Sequence, residues 1–185
     1  VSTELSIGTV IEYEKENKND AVIIIKDSKP IENKINCGIV GAGIFTTSTL
    51  LPTLTKMNDL SINCISTLNG INSRSVADKY KIPKVFSDYK EMIKNDAVEL
   101  VFITTRNSTH AKMTLEALKN NKNVFVEKPL AVSIEDLEEI EKKWKTSDKT
   151  IMVGFNRRHS PFTEEIKLNF KNRISPLISN YRINA

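Results

Sequence analysis

Residues 35–46 read Ile35-Asn36-Cys37-Gly38-Ile39-Val40-Gly41-Ala42-Gly43-Ile44-Phe45-Thr46. An apolar-rich run of strand length ends in glycines and passes into a helical pattern over 46–57, where Leu50, Leu51, Leu54 and Met57 recur at helical spacing. A run so continuously apolar is expected of a strand buried on both faces of a parallel sheet. Gly41 permits a tight turn after it, and Gly43 lets backbone N–H groups approach a pyrophosphate at the helix N-terminus. Thr46 stands at the third position of this pattern, where Gly or Ala is usual. Pro52 is expected to kink the helix or close its first turns.

The same strand-then-helix rhythm repeats downstream. Strands are expected over Ser61–Ser66, Lys84–Phe86, Glu99–Thr104, Val124–Val126 and Thr150–Phe155. Helices are expected over Ser73–Tyr80, over Asp88–Lys94 behind a Ser87 cap, and after Thr104, where Ala111, Leu115 and Leu118 share a face. Ser133 and Asp136 have the spacing of a capping box. The helix they open is expected to bury Leu137, Ile140 and Trp144 and to expose the pairs Glu138/Lys142 and Glu139/Lys143. Glu164–Phe170 reads as a helix and Leu177–Ile183 as a strand. Such alternation predicts an α/β class with a doubly wound parallel sheet.

Upstream, residues 1–34 hold five lysines and seven acids, so this segment carries −2 against +6 for the remainder. Ser6–Tyr13 and Ala21–Ile25 each suit a strand, and Pro30 leads into a linker at Glu32-Asn33-Lys34.

In its 185 residues the chain has 27 Lys+Arg, 23 Asp+Glu, and 39% hydrophobic residues, a globular composition that excludes wholesale disorder. No apolar run is long enough for a membrane-spanning helix, and no signal peptide pattern opens the sequence. Lysine exceeds arginine 21 to 6 and the basic residues are scattered, so the net charge of +4 does not argue for nucleic acid. Cys37 and Cys64 lie inside apolar runs with neither CxxC nor His spacing, which predicts two buried thiols in a reducing cytoplasm and no metal site.

Strand C-termini are where an open α/β sheet binds its ligand, so the candidate site residues cluster there. The turn Gly41, Ala42, Gly43, Ile44 and Phe45 is the candidate cradle for a dinucleotide, a motif that methyltransferases and nucleotide-sensing domains share. The second strand ends in Ser66-Thr67-Leu68-Asn69 with no carboxylate for a ribose, which argues against a methyltransferase. Without an acid to repel a 2′-phosphate, NADP joins NAD as a candidate cofactor, with Ser66, Thr67 and Arg74 as partners. Thr104, Thr105, Arg106 and Asn107 follow the fourth strand as candidate cofactor contacts. His110 stands among them at a helix start, where it is read to cap or pack rather than act as general acid or base. The fifth strand delivers Glu127-Lys128-Pro129 to the same edge, and the sixth delivers Gly154-Phe155-Asn156-Arg157-Arg158-His159. Adjacent arginines there suit a phosphate or carboxylate.

With these blocks in hand, the chain resembles the glucose-fructose oxidoreductase / inositol dehydrogenase / MocA family. The resemblance rests on GIVGAGIF, ITTRNSTHA, NVFVEKPLA and MVGFNRRHSP in that order, and it runs from Ile35 to about Ala185. It implies a Rossmann domain over 35–160, binding NAD or NADP, and hydride transfer to or from a secondary alcohol of a sugar or cyclitol. By the same resemblance Lys128 is the catalytic lysine beside the nicotinamide and substrate hydroxyl. Glu127 and Pro129 would shape its turn, while Asn107 and the segment from Asn156 to Arg158 would line the nicotinamide end. Thr46, Arg106 and His159 depart from the residues frequent in the family. Parts of the sequence, with the opening SIGTVIEY, look closest to two-domain members fused behind a zinc-type alcohol dehydrogenase domain. The expected organisation is therefore a domain remnant and linker over 1–34, the Rossmann domain, and over 161–185 a connection into the first strand of a C-terminal α/β domain. The chain is expected to stop before that domain, which in the family carries the substrate pocket and supports homo-oligomers. The rival expectation is a non-catalytic dinucleotide-binding module that senses redox state or scaffolds a partner.

Overall fold

A computed structural model describes residues 22–26, 30–67, 71–180 and 182 of the chain. The described residues form two compact units, divided between Glu99 and Leu100. The strand expected over Ser6–Tyr13 lies outside the described residues.

In the first unit the strands are β1 (Val22–Ile24), β2 (Ile35–Val40), β3 (Leu60–Ser66) and β4 (Lys84–Phe86), in the order β1-β4-β3-β2. β2, β3 and β4 run parallel, as their buried apolar sequences predict, and β1 is antiparallel to β4 at its edge. Register slips by one residue where Cys37 pairs with Ile62 and Gly38 with Cys64, leaving Asn63 as the bulge. The Asn63 amide donates to Asn36 Oδ1 at 2.6 Å, and Glu99 Oε2 accepts from the Asn36 backbone and side-chain nitrogens at 2.8 and 3.1 Å. The buried Asn36 amide is thus satisfied in place. Ile39, Leu51, Ile65, Ile82, Met92 and Ile93 fill the core.

The helix after β2 has two halves. Thr46–Leu50 winds as a π-helix and continues into α1 (Leu51–Leu54). Pro52 explains the change: it has no N–H to donate and its ring crowds the preceding turn. Leu51 donates to Thr46 O, five residues back, which leaves the Thr47 carbonyl without a helical donor. Tyr80 Oη supplies one at 2.6 Å. Met57, expected on the buried stripe, lies beyond the helix and is exposed. α2 spans Ile71–Tyr80 and α3 spans Tyr89–Lys94. The cap of α3 is Asp88, whose carboxylate accepts from Lys90 N at 2.9 Å, and not Ser87, which stands one residue too early.

Cys37 is fully buried, and desolvation raises its thiol pKa from 9.0 to about 12; a backbone hydrogen bond from Ser61 opposes this and Glu99 adds to it. The unfolded chain therefore releases this proton near pH 9 while the folded chain holds it to about 12. The stability from this group is complete below pH 9 and is lost as pH rises toward 12. Thermal melts across that window should decline less steeply in Cys37→Ala, and equal slopes would exclude the effect.

The second unit carries β5 (Leu100–Ile103), α4 (His110–Lys119), β6 (Asn123–Glu127), α5 (Ile134–Lys145), β7 (Ile151–Gly154) and α6 (Pro161–Phe170). Its strands are parallel in the order β5-β6-β7. Ala111, Leu115 and Leu118 of α4 pack on Ile140 of α5, with Leu130, Ala131 and Ile151 against them. α5 departs from expectation in that Ile140 is buried while Leu137 and Trp144 remain 47% and 46% exposed. Contact runs along a line through Ile140, so the two residues at its flanks stay half in solvent. Ser133 caps the helix as predicted, accepting from Asp136 N at 3.1 Å. The ion pair formed on it is Glu141–Lys145, at 2.7 Å. Leu177–Asn180, expected to begin a strand, are irregular and exposed, because a strand needs a neighbour for its backbone groups. The remainder of that expected strand includes residues outside the described set. Among the described residues no helix is long and apolar enough to cross a membrane, and no cluster of His, Cys, Asp or Glu could hold a metal ion.

Candidate functional site

Each unit presents its candidate residues at the C-terminal ends of its own strands. In the first, β2 ends at Val40 and Gly41 takes φ 109°, a conformation that side chains with a Cβ rarely adopt. Gly41 is buried and donates its N–H to Ser66 O at 2.9 Å, joining the turn to the end of β3. Ala42 and Phe45 are half-buried, while Gly43 and Ile44 are exposed. A Cβ built on Gly43 meets no atom within 4 Å, so open space lies over the turn. The N–H groups of a helix's first turn have no intrahelical acceptor and favour an anion. Thr46 is fully buried, so the third position of the pattern packs inward and leaves the exposed turn to Gly43 and Ile44.

Ser66 is buried and its carbonyl is engaged by Gly41. Thr67 follows it with a buried Oγ1 that has no hydrogen-bond partner among the described residues. A buried orphan hydroxyl at this strand end suits a ligand hydroxyl or phosphate, since leaving it unpaired costs about 1–3 kcal/mol. Leu68-Asn69-Gly70 lie outside the described residues, and Arg74 is exposed on α2.

In the second unit, Thr104 and Thr105 are half-buried and Arg106 and Asn107 exposed. Thr105 Oγ1 and Thr109 Oγ1 are 2.7 Å apart. His110 is 1% exposed, with Nδ1 2.7 Å from Pro129 O and Nε2 3.1 Å from Thr105 O. It ties the turn after β5 to the turn after β6 from within, so of the two roles read for it, cofactor contact and packing, its burial favours packing.

An open cavity of about 540 Å³ is lined by Glu127, Lys128, Gly154, Phe155, Asn156, Arg157 and Arg158. Lys128 is exposed to it and precedes Pro129 across a cis peptide bond. Asn156 Nδ2 donates to Glu127 Oε1 at 3.1 Å. Arg158 Nε donates to His159 Nε2 at 3.1 Å. The ion pairs among the described residues lie elsewhere, so Lys128, Arg157 and Arg158 face the cavity un-neutralised by them. The sequence reading chose the Asn156–Arg158 segment and gave no role to Gly154 and Phe155, which also line the cavity. Arg157 was visible as half of an arginine pair. Gly154 had no signal, because its position opposite Glu127 exists only once β6 and β7 are in register.

A family model described as "Oxidoreductase family, NAD-binding Rossmann fold" (GFO_IDH_MocA) matches residues 35–155. The chain belongs to this family. The match runs from the first residue of β2 to just past β7 and takes in the glycine turn, the Glu127-Lys128 turn and the end of β7. The matched region is the NAD-binding domain of the GFO/IDH/MocA oxidoreductases, whose cofactors are nicotinamide dinucleotides. Inositol 2-dehydrogenase of Salmonella typhimurium is 32% identical over 135 residues, covering 72% of this chain and 40% of that protein. Among solved structures, myo-inositol dehydrogenase from Lactobacillus casei in complex with NAD(H) and myo-inositol superposes with a TM-score of 0.71 at 24% identity, covering 76% of this chain and 42% of that one. A 3-ketoreductase from Actinomadura kijaniata with bound NADP gives a TM-score of 0.70 at 20% identity, covering 77% and 45%. The chain thus spans about 40% of the length of the curated relatives it matches.

Proposed function

We propose that residues 35–160 form the dinucleotide domain of an oxidoreductase that moves a hydride between NAD or NADP and a secondary alcohol of a sugar or cyclitol. One observation supports this most: a free-standing lysine, Lys128, at a strand C-terminus beside an open cavity that also holds Asn156 and two arginines. The geometry of the first unit suits the cofactor as well, through the positive φ of Gly41, the open space over Gly43 and the orphan hydroxyl of Thr67.

In this reading the turn Gly41–Phe45 holds the pyrophosphate, and Ser66, Thr67 and Arg74 face the adenosine ribose. Thr104, Thr105, Arg106, Asn107, Asn156 and Arg158 hold the nicotinamide half, and His110 braces their loops. When bound, the nicotinamide supplies the hydride acceptor or donor. Lys128 Nζ holds the substrate hydroxyl and takes its proton as the carbon gives up hydride, or returns it in the reverse direction. Residues 1–34 would belong to a preceding domain and linker, and 161–185 to a connection into a substrate domain, through which copies of the protein would associate. The buried thiols of Cys37 and Cys64 suit a cytoplasmic location.

Calorimetric titration with NADH and then NADPH tests the assignment. Both should bind in the micromolar range, with NADPH no weaker than NADH because no acid ends β3. A folded chain that bound neither would overturn the reading of the glycine turn.

A further inference from the structure

Glu127 and Gly154 are direct partners in the parallel register of β6 and β7. Side chains so placed ordinarily meet through their Cβ atoms, but here one partner has none. The Glu127 carboxylate occupies the gap. A Cβ built on Gly154 would lie 2.8 Å from Glu127 Oε1, 3.3 Å from its Cδ and 3.1 Å from Phe125 Cζ. That same Oε1 accepts from Asn156 Nδ2 at 3.1 Å. Glu127 is half-buried and takes part in none of the ion pairs among the described residues, so the Asn156 amide compensates its partial desolvation. Lys128 follows Glu127 directly, and Arg157 and Arg158 follow Asn156.

We propose that Glu127 is a positioning residue: its carboxylate, seated in the space that Gly154 leaves open, ties the Lys128 turn to the 156–158 turn and so fixes the two walls of the cavity against each other. It is neither the counter-ion of Lys128 nor an acid–base group. Gly154 belongs to the device because any larger residue displaces the carboxylate from Asn156. This inference rests on reading that cavity as the nicotinamide and substrate end of the site.

Four variants decide it: Gly154→Ala, Glu127→Ala, the two together, and Glu127→Gln. Affinity is read from the fluorescence of bound NADH or NADPH, and the position of Asn156 from its side-chain amide resonances. Gly154→Ala should weaken binding about tenfold and move those resonances, as expected for directly coupled neighbours. In the Glu127→Ala background, adding Gly154→Ala should change affinity less than about twofold, because the carboxylate is then gone and only Phe125 Cζ, at 3.1 Å, stands against the new methyl group. Glu127→Gln keeps an acceptor for Asn156 and should stay within about threefold of the parent. Additive losses, or a glutamine as harmful as alanine, would overturn the proposal. So would variants that lower the melting temperature while leaving affinity and the Asn156 resonances unmoved. If no form, parent included, binds dinucleotide, the reading of the site fails. The amide resonances then decide alone: movement in both alanine variants and none in Glu127→Gln upholds the tie, and any other pattern overturns it.

Discussion

On the proposed function, Lys128→Ala made in the protein together with its substrate domain is expected to lower nicotinamide-dependent oxidation of polyols by about two to four orders of magnitude, the range for loss of a positioned proton-transfer group. The fold gives it little reason to do anything else. Lys128 is exposed, belongs to none of the ion pairs among the described residues, and packs in no buried cluster. Stability should therefore move by no more than about 0.5 kcal/mol, as for an ordinary surface substitution. Thermal melting and the absorbance of the reduced nicotinamide, followed with myo-inositol and other polyols, separate the two effects. Undiminished turnover would remove Lys128 from the chemistry. A loss of turnover matched by a loss of folding would assign it to structure instead.

The glycine turn supplies the second large effect, and its two glycines should behave differently. Gly43→Ala adds a methyl group where nothing lies within 4 Å, so stability should stay within about 0.5 kcal/mol of the parent. If that open space is where a pyrophosphate approaches the backbone, dinucleotide affinity should nonetheless fall about tenfold or more, the equivalent of 1.4 kcal/mol. Gly41→Val should lower both quantities. Its φ of 109° is strained for any residue with a Cβ, at a cost of about 1–3 kcal/mol, and its N–H anchors the end of β3. Titration with NADH and a melting curve on each variant check the contrast. An unchanged affinity in Gly43→Ala would mean that the turn serves only the chain's change of direction.

The sequence's reach was uneven, and particular elements show why. β2 and the start of the helix after it were legible because an apolar run and a glycine turn are local signals. The π-helical stretch was not, although Pro52 was visible. How a missing N–H is absorbed depends on whether a donor such as Tyr80 is at hand to take the freed Thr47 carbonyl. On α5 the periodicity predicted three buried residues and packing took one, since a helix lying along a narrow contact covers only its central row. Leu177–Asn180 have apolar strand-like composition and no strand, because composition cannot provide a pairing partner.

By itself, then, the sequence determined the α/β class, the parallel strands of both units, the glycine turn and the placement of Lys128 at a strand end. Each of these follows from residue types at short spacing and from the fixed geometry of strand and helix. Only the tertiary structure decided which groups meet. The orphan hydroxyl of Thr67, the clasp of His110 between two loops and the seating of Glu127 over Gly154 all join residues far apart in sequence or depend on what surrounds them. Register sets such meetings, and register is a property of two strands together that neither carries alone.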